Sequence, residues 1–160
     1  MKVGCKEGCA EDLVLNKVIL VWCSDVLGVE VMTGEELLKR YAAGERDFRG
    51  VDLTRVKIPN VDLSGADLSG AILDSVDLTG AKLHNVKMRG ATATSGWAEF
   101  SGTDFTGADL TGADLNQSHA YGAIYKNAIL DWARSPVVEG GFYENTNIGG
   151  GRIIKGPRWK

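Results

Sequence analysis

An apolar residue recurs at every fifth position through the central part of the chain. Across residues 61–83, VDLSGADLSGAILDSVDLTGAKL, each leucine follows a small apolar residue by two positions. An α-helix would scatter these leucines around its axis, because five residues advance the chain about 140° beyond a full turn. A flat strand would send successive leucines to opposite faces. The pattern therefore predicts a chain that turns a corner once in each repeat.

A right-angle corner every five residues completes one coil after about four repeats, and successive coils stack at about 4.8 Å, the spacing of paired strands. A fixed internal period of this kind is typical of a solenoid. We therefore predict an all-β solenoid of about five coils. The residues predicted to form its core are Phe48, Leu53, Ile58, Leu63, Leu68, Leu73, Leu78, Leu83, Met88, Phe100, Phe105, Leu110, Leu115, Tyr125 and Leu130.

The five-residue register breaks twice. Between Ala93 and Phe100 the spacing is longer, which indicates two inserted residues near 94–97. A weaker third register after residue 135 requires three further inserted residues near 131–135. With both insertions placed at corners, Tyr143 stacks above Ala120 and Ile153 above Leu130. This third register would hold Val138, Tyr143, Ile148 and Ile153, and whether it forms a true final coil stays open.

The motif Ala-Asp-Leu-Ser/Thr-Gly, found at Ala66–Gly70 and Ala108–Gly112 and in part at Ala113–Gln117, resembles the pentapeptide-repeat proteins. The resemblance covers most of residues 46–132. It implies a right-handed quadrilateral β-helix and a protein of bacterial type. It does not imply a reaction, because members of this family share a shape. Some members, including quinolone-resistance proteins, imitate DNA and bind gyrase.

A helix signal precedes the repeats. Thr33 and Glu36 match a capping box, and Gly44 stands where a glycine often ends a helix. We predict a short α-helix at about residues 34–43 that caps the first coil, whose backbone edge would otherwise stay unpaired. Its apolar side would consist of Leu37, Leu38 and Tyr41.

These features divide the chain into four parts. Residues 32–45 form the capping helix, residues 46–155 the β-helix, and residues 156–160 a basic tail. Residues 1–31 fit neither the helix nor the repeats, and Met32 is an alternative start. The apolar run within them is too short to span a bilayer.

Composition and charge narrow the function classes. A net charge of −3 is too modest to argue for a nucleic-acid or membrane partner, and we expect no direct nucleic-acid binding. The three cysteines all precede residue 24, and Cys5 and Cys9 lack a second pair of ligands, so neither a disulfide framework nor a zinc site is predicted. We expect a cytoplasmic protein with reduced thiols and no cofactor.

Catalysis has little support in this sequence. His84 and His119 are the only histidines, and no nucleophile or metal motif accompanies them. We predict a scaffold or protein-interaction module with an unknown protein partner. The alternative is a DNA-mimicking regulator of gyrase, and end-to-end homodimerisation also stays open. The candidate interaction surface consists of Arg49, Arg89, Trp97 and Trp132, the last two lying at the register breaks.

Overall fold

The computed structural model describes residues 29–134 and 141–155, together with the backbone of residues 158–159. The cysteines, the apolar run before residue 24 and Val138 lie outside the described residues. Within those residues, no helix is long and apolar enough to cross a membrane.

The repeats form a β-helix whose coils are joined by short parallel bridges. Asp47 pairs with Asp67, and Asp67 pairs with Lys87, so these bridges join residues 20 apart, which is four pentapeptides. The N–H of each central residue donates to a carbonyl one coil further on, as from Leu63 to Lys82 at 3.0 Å. These bridges align the residues that precede the central positions in four rows along the rod.

The corner in each repeat has a local cause. The aspartate before a central residue accepts the N–H two positions later, as Asp62 does from Ser64 at 3.0 Å. The next residue adopts the left-handed conformation, with φ of 73° at Gly65 and 58° at Asn60. Glycine and asparagine tolerate that conformation best, which explains why they recur at this position.

The residues that recur at every fifth position fill the interior of the coils. All the predicted core residues are buried, none more than 9% exposed, and the small residues two positions earlier are buried with them except Val61, which is partly buried. Aromatic side chains replace leucine at some central positions of the later coils. Phe105 stacks on Tyr125 with ring centroids 5.2 Å apart, and Tyr125 stacks on Tyr143 at 5.1 Å.

Helix α1 spans Gly34–Ala42. Thr33 Oγ1 accepts the N–H of Glu36 at 3.2 Å, and Gly44 follows the helix with φ of 97°. Leu37 is fully buried, and the Tyr41 hydroxyl donates to the Ser64 carbonyl at 2.9 Å. The prediction that Leu38 belongs to the apolar side is wrong, because this side chain is exposed.

The insertion near residues 94–97 lengthens one coil by two residues. Bridges that cross it join residues 22 apart, as in Asp77 with Glu99. Beyond it, strand β1 (Ala98–Glu99) pairs in parallel with β2 (Ser118–His119), and the spacing returns to 20. The extra residues therefore bulge outward at one corner while the coils stay aligned.

The C-terminal coil differs from the prediction. Ile124 bridges Phe142, and Ile129 bridges Asn147. This coil is therefore two residues shorter than a regular coil of 20, whereas the prediction made it three residues longer. The placement of Tyr143 above Ala120 is consequently wrong, since Tyr143 stacks on Tyr125.

The chain then reverses direction. Strand β3 (Phe142–Tyr143) pairs antiparallel with β6 (Arg158–Trp159), and β4 (Thr146–Asn147) pairs antiparallel with β5 (Ile153–Ile154). Ile153 is 55% exposed and does not belong to the core, contrary to the predicted column. The parallel stacking of coils thus ends in a returning segment, because the glycines at 149–151 permit a reversal there.

Candidate interaction surface

A carboxylate of one coil holds the bulge of the next. Asp74 accepts the N–H groups of Thr94 and Ser95 at 2.8 and 3.0 Å, and the Ser95 hydroxyl at 2.5 Å. These hydrogen bonds lower the pKa of Asp74 although burial of the carboxyl opposes ionisation. The three bonds fix the inserted residues against the rod, so the bulge has a defined conformation.

The bulge presents Trp97 to solvent. This side chain is 63% exposed, and its ring stacks on the His119 ring of the next coil at 4.9 Å with an interplanar angle of 14°. His119 Nδ1 in turn lies 2.7 Å from the Glu99 carboxylate. Trp97 is therefore an exposed aromatic residue whose orientation is set by neighbours from two coils.

Tyr121, two residues after His119, adds a second exposed ring, 70% accessible. We call Trp97, His119 and Tyr121 the Trp97 patch. Of these three residues, the sequence indicated only Trp97 as an interaction residue. The stacking of positions four repeats apart could have added His119, which pairs with Glu99 of the preceding coil. The Asp74 contacts had no signal, because they depend on how the insertion folds back.

The two arginines of the candidate surface lie on another face. Arg49 and Arg89 flank Ser69 in successive coils, since each coil consists of four pentapeptides. Arg49 binds Asp47 at 2.7 Å, which lowers the pKa of that carboxyl to about 2, and Arg89 binds Asp109 at 2.6 Å. Both guanidinium groups are already neutralised, so this strip is a poor anion site.

Trp132 is 81% exposed at the corner that follows Leu130, with φ of 58°. It lies two coils from Trp97 and at a different corner. The structure therefore does not bring together all four residues of the candidate surface: Arg49, Arg89 and Trp132 lie at one corner in different coils, and Trp97 lies at another corner.

Elsewhere on the rod, acidic side chains pair with basic ones from a neighbouring coil. This interleaving breaks any continuous acidic face. The ion pairs between coils are Lys87 with Asp67, Arg89 with Asp109, Arg134 with Asp114, and Lys126 with Glu144.

Each histidine lies against a carboxylate of a neighbouring coil. His84 Nε2 lies 2.8 Å from the Asp104 carboxylate, an ion-pair contact without an aligned hydrogen bond, and His119 lies beside Glu99. Among the described residues, no group of three metal-binding side chains converges.

Comparison with known proteins identifies the repeat. A family model described as pentapeptide repeats matches eight copies, over residues 47–85, 59–92 and 98–134, which together exceed half of the chain. No curated protein sequence is similar to this chain.

Several solved structures of pentapeptide repeat proteins are similar to this chain. The pentapeptide repeat protein alr5209 from Nostoc PCC 7120 is 32% identical, over 66% of this chain and 77% of its own, with a TM-score of 0.25. HetL, a pentapeptide repeat protein involved in heterocyst differentiation regulation in Nostoc sp. strain PCC 7120, is 18% identical over 77% of this chain and 100% of its own, with a TM-score of 0.30. A pentapeptide repeat protein of the Arabidopsis thaliana thylakoid lumen is 24% identical over 66% of each chain, with a TM-score of 0.22.

Proposed function

Because the chain belongs to the pentapeptide-repeat family, we propose that it is a non-catalytic protein-interaction module that binds its partner through the Trp97 patch. One observation carries the proposal: Trp97 is largely exposed, yet its ring is stacked on His119 and its loop is held by Asp74. Exposed tryptophans dominate the binding energy of many protein interfaces.

The rigidity of Trp97 supports this role in energetic terms. A side chain that is ordered before binding loses less conformational entropy when a partner covers it, so more of the contact energy appears as affinity. The repeat coils provide a stiff support for the bulge, since each coil hydrogen-bonds to the next along its length. A partner would therefore meet an aromatic anchor in a fixed position.

We also propose the finer architecture that the family implies. It is a right-handed quadrilateral coil of about five turns, in which α1 covers the first coil. The buried Leu37 and the hydrogen bond from Tyr41 to Ser64 support the covering role. The antiparallel return of β5 and β6 would cover the opposite end and limit edge-to-edge association.

The test is affinity capture from a native extract with three tagged proteins: the unaltered chain, Trp97→Ala and Arg55→Ala. Arg55 is an exposed residue at the same corner two coils away, so its variant controls for general surface effects. We expect a discrete set of proteins to be retained by the unaltered chain and by Arg55→Ala, and lost from Trp97→Ala. Identical sets from all three proteins would overturn the assignment of Trp97.

The alternative role, mimicry of DNA toward gyrase, has a separate assay. A mimic needs carboxylates in continuous rows, whereas here lysine and arginine interrupt the acidic rows. We expect gyrase supercoiling to be unchanged at a large molar excess of this protein. Inhibition that persists in Trp97→Ala would favour mimicry over the proposed interaction site.

A further inference from the structure

We propose that the Trp97 patch recognises an arginine side chain presented by a partner protein. This inference rests on the proposed function and names the chemistry of the partner. It follows from three features of the patch: the charge around it, the geometry of its rings, and the positions of its carboxylates.

The chain segments that meet at the patch carry negative charge. Residues 74–80, 94–102 and 116–122 contain Asp74, Asp77 and Glu99 and not one lysine or arginine. The cationic residues of the preceding coil are Arg55, whose N–H donates to the Asp74 carbonyl at 2.9 Å, and Lys57, which bridges Asp77. Asp77 and Glu99 follow each other in their row with no cation between them, so this part of the rod favours a cation from outside.

The rings suit a planar cation. His119 covers one face of the Trp97 indole, and the 63% exposure of Trp97 leaves the opposite face open to solvent. A cation placed over an indole face is attracted by the ring quadrupole, and tryptophan is the strongest of the aromatic residues in this respect. Tyr121, exposed two residues after His119, offers a second ring.

Arginine fits this combination better than lysine. The guanidinium group is planar, stacks on aromatic rings and is more weakly hydrated than an ammonium group. Its several N–H groups can also donate to carboxylates at the edge of the ring while the plane stays stacked. Asp77 and Glu99 occupy successive coils of one row beside the patch, joined by a parallel bridge.

The probe is a fluorescein-labelled peptide with four Gly-Arg repeats, titrated with the full chain and followed by fluorescence anisotropy at low ionic strength. Peptides of the same length with lysine or glutamate in place of arginine serve as comparisons. We expect the arginine peptide to bind several-fold more tightly than the lysine peptide, and the glutamate peptide not to bind. Equal binding of the arginine and lysine peptides would overturn the preference for a guanidinium group.

Variants locate the binding site. Trp97→Ala should weaken binding of the arginine peptide about fivefold or more, and Glu99→Gln should weaken it and flatten its salt dependence. The matched control is Trp132→Ala, which removes an exposed indole from a corner outside the patch and should leave the affinity unchanged. Equal losses in both tryptophan variants, or no loss in Trp97→Ala, would overturn the proposal.

The two proposals fail in distinguishable ways. Trp97-dependent capture of a partner together with no binding of the arginine peptide would retain the interaction module and reject arginine recognition. Binding of the peptide that is unaffected by Trp97→Ala would show attraction to the general negative charge and would reject this site.

Discussion

The replacement Leu78→Ala tests the assignment of inward and outward positions most directly. The Leu78 side chain is fully buried, and backbone hydrogen bonds place it between Ile58 and Phe100 in adjacent coils. Removing three carbon atoms forfeits about 2.4 kcal/mol of transfer free energy, at about 0.8 kcal/mol for each group. The cavity left behind raises the expected loss in the free energy of unfolding to about 3–5 kcal/mol.

The upper part of that range is expected because the site cannot collapse easily. Each neighbouring residue is fixed by hydrogen bonds to the coils on both sides, so the backbone cannot close over the space. Leu78→Asp is the stronger version, and we expect it to prevent folding, since a carboxylate would enter an apolar interior without a partner.

The adjacent Asp77→Ser is the matched control. Asp77 is only partly buried, and its carboxylate accepts the N–H of Thr79 at 3.0 Å, a bond that a serine hydroxyl can accept in its place. We expect a loss below about 1 kcal/mol. The assay is urea-induced unfolding followed by circular dichroism, with the slope checked for constancy. Similar losses from both replacements, or a loss below about 1 kcal/mol from Leu78→Ala, would refute the assignment.

Three further predictions concern polar contacts, the helix and pH. Thr103→Val removes a buried hydroxyl that donates to the Leu78 carbonyl at 2.8 Å, so we expect a loss of about 1 kcal/mol in urea unfolding; an unchanged midpoint would contradict it. Leu37→Ala should loosen α1 from the first coil and produce concentration-dependent association in analytical ultracentrifugation, whereas the exposed Leu38→Ala should stay like the unaltered chain. Hydrogen bonds from Thr79 lower the pKa of Asp77, and those from Ser64 lower that of Asp62. A carboxyl with a lowered folded-state pKa contributes stability above its unfolded pKa of about 3.9 and loses it as the pH falls, so the Tm should drop between about pH 5 and pH 3. A constant Tm across that window would contradict this linkage.

Several structural features were accessible from the period and from short motifs. The capping box at Thr33 and Glu36 located α1 almost to the residue, because a helix N-terminus depends on local hydrogen bonds. The insertion near 94–97 was visible as a longer spacing between apolar residues. Leu38 was misplaced because the apolar side of a short helix depends on what the helix packs against.

The C-terminal end could not be derived in the same way. Its repeats are degenerate, so the predicted register of Tyr143 depended on spacing alone. The predicted insertion placed Tyr143 above Ala120, on the side of the coil next to the one that holds Tyr125. In the structure Tyr125 and Tyr143 stack, and the coil shortens to allow it. The five-residue pattern is weak in this part of the chain and did not indicate the register in which the two tyrosines stack.

The sequence by itself determined the repeating unit of this protein: a five-residue period, with leucine inward, aspartate outward, and glycine or asparagine at the corner. These properties are local, since each depends on residues within one pentapeptide. The tertiary structure alone decided how Asp74 holds the bulge and how Trp97 meets His119. Those contacts join residues about 20 apart in sequence, and they form only after the coils have stacked in register.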